Sequence, residues 1–473
     1  MVEISGPELA ISYPPQSAYF IGEENERSDV LELSQDAIRV VSVGSTGDNG
    51  SVDAFGRARV SEPLTLGDCK HLYAIDPNFL DSVSASGTVS FALNQAAATL
   101  ATGTSSGSYV IHQTKLYHHY QPGKSQLILS SFNFGYAEAN VTKRTGYFDD
   151  RDGIYFEQVG LPTSNGTDAG TLNWVIRSYV TGTASEVGTR IPQSQWNIDR
   201  CDGTGKSEFN LNISKAQLIF IDFQWLGVGR VRCGFVHNGE YIVAHEYYHS
   251  NFDNTVYIAN PNLPVRCEIV NTAAISASAS FSQICSSVMA EGGYIQSGID
   301  WSIDSGSLRQ TSTTGASRFP VLAFRLKDTY QGYPNRATVK LNNITAHIQD
   351  NSSYVEIIKI PDASYLVNAG GTSSLTWVSV NTNSVVEYSI DAAAFTGSTT
   401  VINVLSSVVI PAGGSANSQG VAGIPSATDS KKNFIVQNYD STNSEVYIIS
   451  VKTTETGNVR AKAAVTAQWR EIY

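Results

Sequence analysis

The sequence has few charged residues, and more acids than bases. Asp, Glu, Lys and Arg make up 16% of its 473 residues, and 43 acidic against 31 basic side chains give a net charge of −12. Nucleic acid is held by clustered Lys and Arg that neutralise phosphates, and the sequence contains no such cluster. We therefore expect no nucleic-acid partner. We also expect a polar surface made largely of Ser, Thr, Asn, Gln and Gly, which is common in extracellular or assembled β proteins.

Cysteine is also scarce. The cysteines are Cys69, Cys201, Cys233, Cys267 and Cys285, an odd number without CxxC spacing, which excludes a dense disulfide framework. Cys233 and Cys267 lie in apolar alternation, as small core residues do. We expect free thiols, in a protein made in a reducing cytoplasm.

Long apolar runs are absent. No stretch approaches the roughly 18 consecutive apolar residues of a membrane-spanning helix, so we expect no membrane partner. Residues 1–17 contain acids and prolines and lack a basic segment followed by an apolar one. This composition predicts that no signal peptide is present.

Convincing long helices and heptad repeats are missing as well. Short β-rich runs separated by Gly, Asn, Asp or Pro recur instead, as in β-sandwiches and jelly rolls. Residues 96–101 are the best candidate for a short helix, and the Gly-, Ser- and Ala-rich residues 413–429 for a mobile loop. The predicted fold class is all-β, with two antiparallel β-sandwich or jelly-roll-like domains preceded by an extended N-terminal arm.

Changes in composition divide the chain, which is too long for one ordinary core. We predict an N-terminal arm or attachment segment at 1–50, a first sandwich at 51–294, a linker rich in Ser, Gly and Thr at 295–319, and a second sandwich at 320–473. Predicted strands lie at 88–93, 108–112, 125–134, 153–159, 172–179 and 216–224 in the first sandwich, and at 321–326, 337–349, 354–360, 374–380, 384–390, 399–410, 433–438, 445–452 and 460–469 in the second.

One hairpin organises the first sandwich. Residues 228–237 and 240–249 are β-rich and are separated only by Asn238-Gly239, the dipeptide that best fits a type I′ turn. Pairing outward from this turn sets His237 opposite Glu240, Phe235 opposite Ile242, Cys233 opposite Ala244 and Val231 opposite Glu246. One face is then apolar, with Val231, Cys233, Phe235, Ile242 and Ala244, and the other carries Arg230, Arg232, Tyr241, His245 and Tyr247.

The second arm of this hairpin contains an HExxH sequence, His245 to His249 with Glu246 as the acid. A zinc protease needs this motif on a helix, where residues i and i+4 lie about 6 Å apart on one face. On a strand the two histidines are roughly 13 Å apart, too far to share one zinc. Glu268 could be considered as a third ligand, but it lies in another β-rich run. We expect the histidines to pack or hydrogen-bond on a sheet face.

Asp149, Asp150 and Asp152, with Glu157 nearby, are acidic enough to suggest calcium. An EF-hand loop would need an oxygen ligand where Arg151 stands and a Glu at its twelfth position, which is absent. The pattern favours an Asp-Gly turn between two strands.

Other chemistry-bearing patterns are weak. His118 and His119 are adjacent, so on a strand they face opposite ways, and no nucleophile elbow or phosphate loop is present. We assign no catalytic residue, no cofactor and no metal ligand. Aromatic residues on a β scaffold offer platforms for sugar rings, but core packing is the alternative for the tryptophans considered, Trp174, Trp196, Trp225 and Trp377.

Three stretches resemble a family of tailed-bacteriophage virion structural proteins. The first, residues 53–66, reads DAFGRARVSEPLTL; the second is the hairpin, GVGRVRCGFVHNGEYIVAHEYYH, with its continuation NTVYIANPNLPVRCEI; the third, residues 145–158, reads TGYFDDRDGIYFEQ. The resemblance covers residues 53–288, about half of the chain. It supplies no catalytic residues to carry over, and members of the family look like tail, neck or fibre-associated components or head decoration.

This resemblance implies a non-enzymatic structural component of a virion, on the tail or neck, acting in assembly or host-surface contact. A head decoration protein is one alternative, and a tail-borne protein that binds or cleaves polysaccharide is another. Cleavage would need paired carboxylates about 5 to 10 Å apart, for which Asp149, Asp150 and Glu157 are the nearest candidates. Expected partners are other virion proteins, further copies of the chain in a trimer, and a glycan of the host surface. The resemblance also implies that the reducing cytoplasm in which the chain is made is that of a host bacterium.

Overall fold

A computed structural model describes residues 63–291, 298–311, 317–396, 402–417, 444–455, 457 and 459–472, together with the backbone of short strands elsewhere. Antiparallel strands dominate the described residues, which contain no α-helix. Short 3-10 turns occur at Leu93–Gln95, Gln193–Gln195 and Ala363–Tyr365. The all-β prediction is confirmed.

The strands up to residue 290 belong to an N-terminal group and to a first sandwich. The N-terminal group contains β1 (Val2–Ile4), β2 (Leu9–Ile11), β3 (Ala18–Tyr19), β4 (Val30–Leu33) and β5 (Ile38–Val41). The first sandwich contains β6 (Leu64–Lys70), β7 (Phe79–Val83), β8 (Thr88–Ala92), β9 (Ala97–Ala101), β10 (Tyr109–Thr114), β11 (Gln126–Asn133), β12 (Val141–Phe148), β13 (Gly153–Val159), β14 (Thr171–Arg177), β15 (Arg190–Pro192), β16 (Gln217–Phe223), β17 (Val231–His237), β18 (Glu240–Tyr247), β19 (Val265–Asn271) and β20 (Ser280–Ala290).

Two sheets form the first sandwich. A seven-stranded sheet has the order β15-β14-β13-β12-β19-β10-β7, and an eight-stranded sheet has the order β18-β17-β16-β11-β20-β9-β8, with β6 beside β20. Alternate residues of both sheets meet in one apolar core. At its centre the ring of Phe156, from the first sheet, lies edge-on to that of Phe235, from the second, with centroids 5.4 Å apart.

The remaining strands form a second pair of larger sheets and two separate two-stranded sheets. They are β21 (Ile299–Asp304), β22 (Arg309–Gln310), β23 (Phe319–Leu326), β24 (Thr329–Tyr330), β25 (Tyr333–Pro334), β26 (Thr338–Gln349), β27 (Ser353–Ile360), β28 (Leu366–Asn368), β29 (Val378–Ser379), β30 (Val386–Ser389), β31 (Ala392–Phe395), β32 (Asn403–Ile410), β33 (Ser415–Asn417), β34 (Phe434–Ile435), β35 (Val446–Thr453) and β36 (Lys462–Ile472). One six-stranded sheet is built on β21-β36-β26-β33 and the other is β29-β30-β23-β35-β27-β32. Phe324 and Trp469 stack across their core at 5.6 Å.

Two predicted segments differ from the structure. The short helix at 96–101 is wrong: residues 97–101 form β9, because Ala97, Ala98 and Leu100 are buried between neighbouring strands. The linker at 295–319 is also wrong in part, since β21 and β22 pair with β36. Trp301 and Ile303 pack against the second core, an alternation hidden by the Ser- and Gly-rich composition around it.

The hairpin forms as predicted near its turn and shifts register further away. Asn238 and Gly239 have φ of 53° and 87°, as a type I′ turn requires, and His237 pairs with Glu240. Beyond the turn, Cys233 pairs with His245, where Ala244 was expected.

A β-bulge causes this shift, because Ala244 is an extra residue on β18. Val231 therefore faces Tyr247, which corrects the predicted pairing with Glu246. The predicted apolar face is confirmed. Tyr247, which was predicted on the polar face, packs in the core with the apolar residues.

Several other expectations concern single residues or lie outside the described residues. Every cysteine is a free thiol, and Cys233 and Cys267 are fully buried in the core, as predicted. Most of the predicted arm at 1–50, residues 53–62 of the first resemblance stretch, and residues 418–429 of the predicted loop fall outside the described residues. The predicted boundary between the two sandwiches stays a prediction. None of the helical segments that the structure describes has the length and hydropathy of a membrane span.

Candidate functional site

The HExxH residues lie on and just beyond an edge strand of the first sandwich. β18 is the edge strand of the eight-stranded sheet, and the Nδ1 atom of buried His245 accepts a hydrogen bond from the backbone N–H of Asn197 at 3.2 Å. Burial lowers the pKa of His245 to about 4, so this imidazole is neutral at neutral pH. His249 lies beyond the strand, stacked on Tyr257 at 4.1 Å, with its Nδ1 atom 2.7 Å from Asp253.

The acidic residues 149–152 form a turn whose carboxylates have backbone and guanidinium partners. Asp149 accepts hydrogen bonds from the N–H groups of Arg151 and Asp152, at 2.8 and 3.0 Å. Asp150 contacts Arg266 at 2.9 Å. Within the ranges described above, His, Cys, Asp and Glu side chains form no group of three or more that could hold a metal.

Asp152 holds two separate chain segments to this turn. Its Oδ1 atom accepts hydrogen bonds from the N–H groups of Tyr179, at 3.0 Å, and Ala259, at 2.8 Å. Burial raises the pKa of Asp152 to about 6, although these donors act to lower it.

The other candidate residues mostly pack in the interior. His118 is buried beside the Leu263 carbonyl, and burial lowers the pKa of His119 to about 4. Trp174 and Trp196 are core residues, which confirms packing over sugar stacking for these two. The ring of Trp377 is covered by the Arg325 guanidinium, 4.3 Å from its centroid.

The structure reveals a feature that the sequence reading did not identify, on the outer face of the seven-stranded sheet. Val265, Cys267 and Ile269 of β19 point into the core, so the intervening residues share the opposite face. The register sets Arg144 beside Glu157 on one side and Glu268 on the other. We call the resulting chain of ion pairs the charged ladder; it runs in the order Asp150, Arg266, Glu268, Arg144, Glu157, Arg190, Glu186 and Arg177.

The ladder alternates in sign and is mostly shielded from solvent. The carboxylate of Glu157 is fully buried and receives Arg144 at 2.8 Å, the amide of Asn173 at 3.2 Å, and Arg190. Burial acts to raise the pKa of Glu268, but Arg266, Arg144 and Arg177 hold that pKa at about 2. The Glu268 carboxylate is therefore ionised and fixed in position at any ordinary pH.

An aromatic pair fits between the guanidinium groups. The rings of Phe148 and Tyr155 lie 4.5 Å apart on the outer face, and Arg177 covers both, 5.5 and 5.2 Å from their centroids. Opposite Tyr155 stands Gly146, where a Cβ would lie only 2.6 Å from the Tyr155 Cα. Glycine therefore lets this aromatic layer lie flat on the sheet.

Beside the ladder the sheet face has an open depression of about 550 Å³. Tyr109, Ile111 and Val270, from β10 and β19, supply its apolar side. Charged groups supply the other side; they are Arg266, Glu268, Asp150, Arg177 and Glu186. The depression thus combines an apolar strip with fixed donors and acceptors.

One feature of the sequence could have indicated this site. Strands β12, β13, β14 and β19 each carry charged or amide residues at outward positions, namely Arg144, Glu157, Asn173, Arg177, Arg266 and Glu268. Such residues are unusual in central strands unless they are paired. The sequence does not show which of these residues are neighbours, because that depends on the order of strands in the sheet. In this sheet β19 lies between β12 and β10, although it is far from both in the sequence.

Comparison with known proteins gives distant structural likenesses only. No family model and no curated protein matches the sequence. Among similar solved structures, the CBM2 module of an evolved Dit from Lactobacillus casei BL23 phage J-1 is 9% identical, with a TM-score of 0.33 over 50% of this chain and 99% of that one. The Emp47p carbohydrate recognition domain is 10% identical, with a TM-score of 0.30 over 50% of this chain and 100% of that one.

A β-1,3-glucanase from Mycobacterium marinum is 11% identical to this chain, with a TM-score of 0.30 over 47% of this chain and 98% of that one. These likenesses therefore carry no argument about the function of the chain.

Proposed function

We propose that the chain is a non-enzymatic structural subunit of a tailed-phage virion, located on the tail or neck, that acts in assembly or host-surface contact. The observation that carries the proposal is where the resembling stretches lie in the fold. Residues 145–158 build the β12–β13 hairpin and residues 231–247 build β17 and β18, one in each sheet of the first sandwich. Phe156 and Phe235 from these stretches meet at the centre of the core.

The side chains in these stretches support a structural role. The carboxylates that a depolymerase would need are Asp149, Asp150 and Glu157, and each already has backbone, amide or guanidinium partners. A general acid needs a raised pKa and a nucleophile needs access to the sugar, whereas Glu157 is fully buried. The stretches thus contribute a packed and ion-paired framework.

Two measurements test the proposal. Mass spectrometry of gradient-purified particles is expected to detect the chain among the virion proteins. Incubation of the purified chain with host polysaccharide is expected to release no new reducing ends. Absence from the particles would overturn the virion assignment, and new reducing ends that persist after removal of contaminating enzymes would establish the depolymerase alternative.

A further inference from the structure

The depression beside the charged ladder has an apolar side and a side of fixed hydrogen-bonding groups. We propose that it binds a neutral saccharide through vicinal hydroxyl groups on one face and C–H groups on the other. This inference deepens the host-surface part of the proposed function and rests on it for its biological setting. The binding itself is a property of the isolated chain.

The apolar side of the depression is a short strip across two strands. Tyr109 of β10 pairs directly with Val270 of β19, and Ile111 lies two residues further along β10 on the same face. Tyr109 is half-buried, whereas Ile111 is 5% exposed and forms the floor. An aromatic ring next to an aliphatic floor offers a surface for the C–H face of a pyranose.

The polar side presents donors and acceptors that are already fixed. Arg266 is held by Glu268 at 2.7 Å and by Asp150 at 2.9 Å, and Glu186 is held by Arg177 at 2.8 Å. Each carboxylate oxygen accepts and each guanidinium N–H donates, and a hydroxyl group can do both. Adjacent hydroxyls on one sugar therefore match a carboxylate and a guanidinium that stand side by side.

The charge balance selects a neutral ligand over an acidic one. The ladder has four guanidinium groups and four carboxylates, in alternation. An acidic sugar would have to displace a carboxylate from its guanidinium partner and leave that carboxylate unpaired, at a large energetic cost. A hydroxyl group adds hydrogen bonds without breaking an ion pair.

The experiment measures binding of neutral oligosaccharides of glucose, galactose and mannose to the purified full chain, by saturation-transfer NMR and calorimetry. Polygalacturonate serves as the acidic probe. Tyr109→Ala removes the platform, and Ala184→Trp places a bulky ring at the rim from an exposed loop position that lines the depression. The matched controls are Tyr333→Ala and Ala369→Trp, at exposed positions in the second sandwich.

We expect at least one neutral probe to bind, and both depression variants to weaken it about tenfold or more, while the controls bind as the parent does. Because Ala184 is exposed, its variant reports on binding even if Tyr109→Ala lowers stability. Absence of binding by every neutral probe would overturn the inference, as would unchanged affinity in the two depression variants or stronger binding of polygalacturonate. Particle composition is measured separately. A chain that binds no saccharide therefore leaves the virion proposal intact, and absence of the chain from particles leaves the saccharide site intact.

Discussion

Glu157 shows how strongly single residues of the charged ladder are tied to their neighbours. Its carboxylate has no exposure to solvent and receives Arg144, Arg190 and Asn173. A buried carboxylate with several charged donors is costly to remove, because the partners lose their counter-charge while remaining out of water. The ladder is therefore a structural element of the sheet as well as the wall of the depression.

Glu157→Gln tests this role. The amide keeps the shape but removes the charge, so we expect the free energy of unfolding to fall by about 3 kcal/mol, as measured by urea denaturation. Asp300→Asn is the matched control, because Asp300 forms an ion pair with Arg470 while 58% exposed, and exposed pairs contribute little. Equal effects of the two substitutions would contradict the importance of burial.

The ladder also predicts a pH dependence. Because its arginine partners hold the folded pKa of Glu268 at about 2, below the roughly 4.3 of an unfolded chain, the folded state binds this proton less readily. The stabilisation is fully present above the unfolded pKa and is lost as the pH falls towards about 2. Denaturation midpoints measured at a series of pH values should therefore drop in acid, with a smaller drop in Glu268→Gln. Identical pH profiles for the two proteins would contradict the assignment.

At the scale of elements, the bulge in β18 explains how a sheet edge is covered. The extra residue, Ala244, turns its carbonyl towards the N–H groups of Ile198 and Asp199, at 3.2 and 3.1 Å. The side chain of Asn197 pairs with both backbone groups of Glu246, at 2.9 Å each. The segment around residue 197 thus covers an edge that would otherwise offer free hydrogen-bonding groups to other chains.

Asn197→Ala should expose this edge. Two backbone groups of Glu246 lose their partner, so we expect a loss of about 1–2 kcal/mol in the free energy of unfolding, together with faster amide hydrogen exchange at Glu246. Asn342→Ala is the control, because Asn342 is an exposed amide that bonds the side chain of Asp300. Unchanged exchange at Glu246 would show that Asn197 does not cover the edge.

The hairpin shows which features could be predicted from the sequence and which could not. The Asn238-Gly239 turn, the first pairs and the apolar face followed from turn chemistry and from the two-residue period of a strand. The bulge could not be foreseen, because it is stabilised by residues 197–199, distant in sequence and placed only by the folded chain. The charged ladder escaped prediction for the same reason: Arg144 and Glu268 are 124 residues apart.

At the scale of the whole molecule, the loop after β10 joins the two sandwiches. Lys115 lies 3.5 Å from Glu445, which also pairs with Lys359 at 2.5 Å. Leu116 packs against Ile472, and Arg336 covers the ring of Tyr117 at 4.7 Å. The junction is therefore small: it consists of one glutamate between two lysines, one apolar contact and one cation–π contact. A single charge change can weaken such a junction.

Glu445→Lys should weaken this junction. The substitution places a third positive charge beside Lys115 and Lys359, so the first sandwich is repelled from the second at this junction. Small-angle X-ray scattering is therefore expected to report a larger radius of gyration. The control is Glu240→Lys, the same charge change at the exposed hairpin turn. A scattering profile identical to that of the parent would mean that the junction does not depend on this residue.

Self-association is the second prediction at this scale. We expect copies of the chain to form a closed symmetric oligomer, a trimer. Multi-angle light scattering of the purified protein at micromolar concentration measures its molar mass. A monomer at that concentration would contradict the prediction.

The position of the chain in the particle is the central claim, and immunogold labelling of intact phage particles with antibody against this chain tests it most directly. The proposal predicts gold at the tail or neck. Gold distributed over the head would contradict it in favour of head decoration, and unlabelled particles would contradict the assignment to the virion altogether.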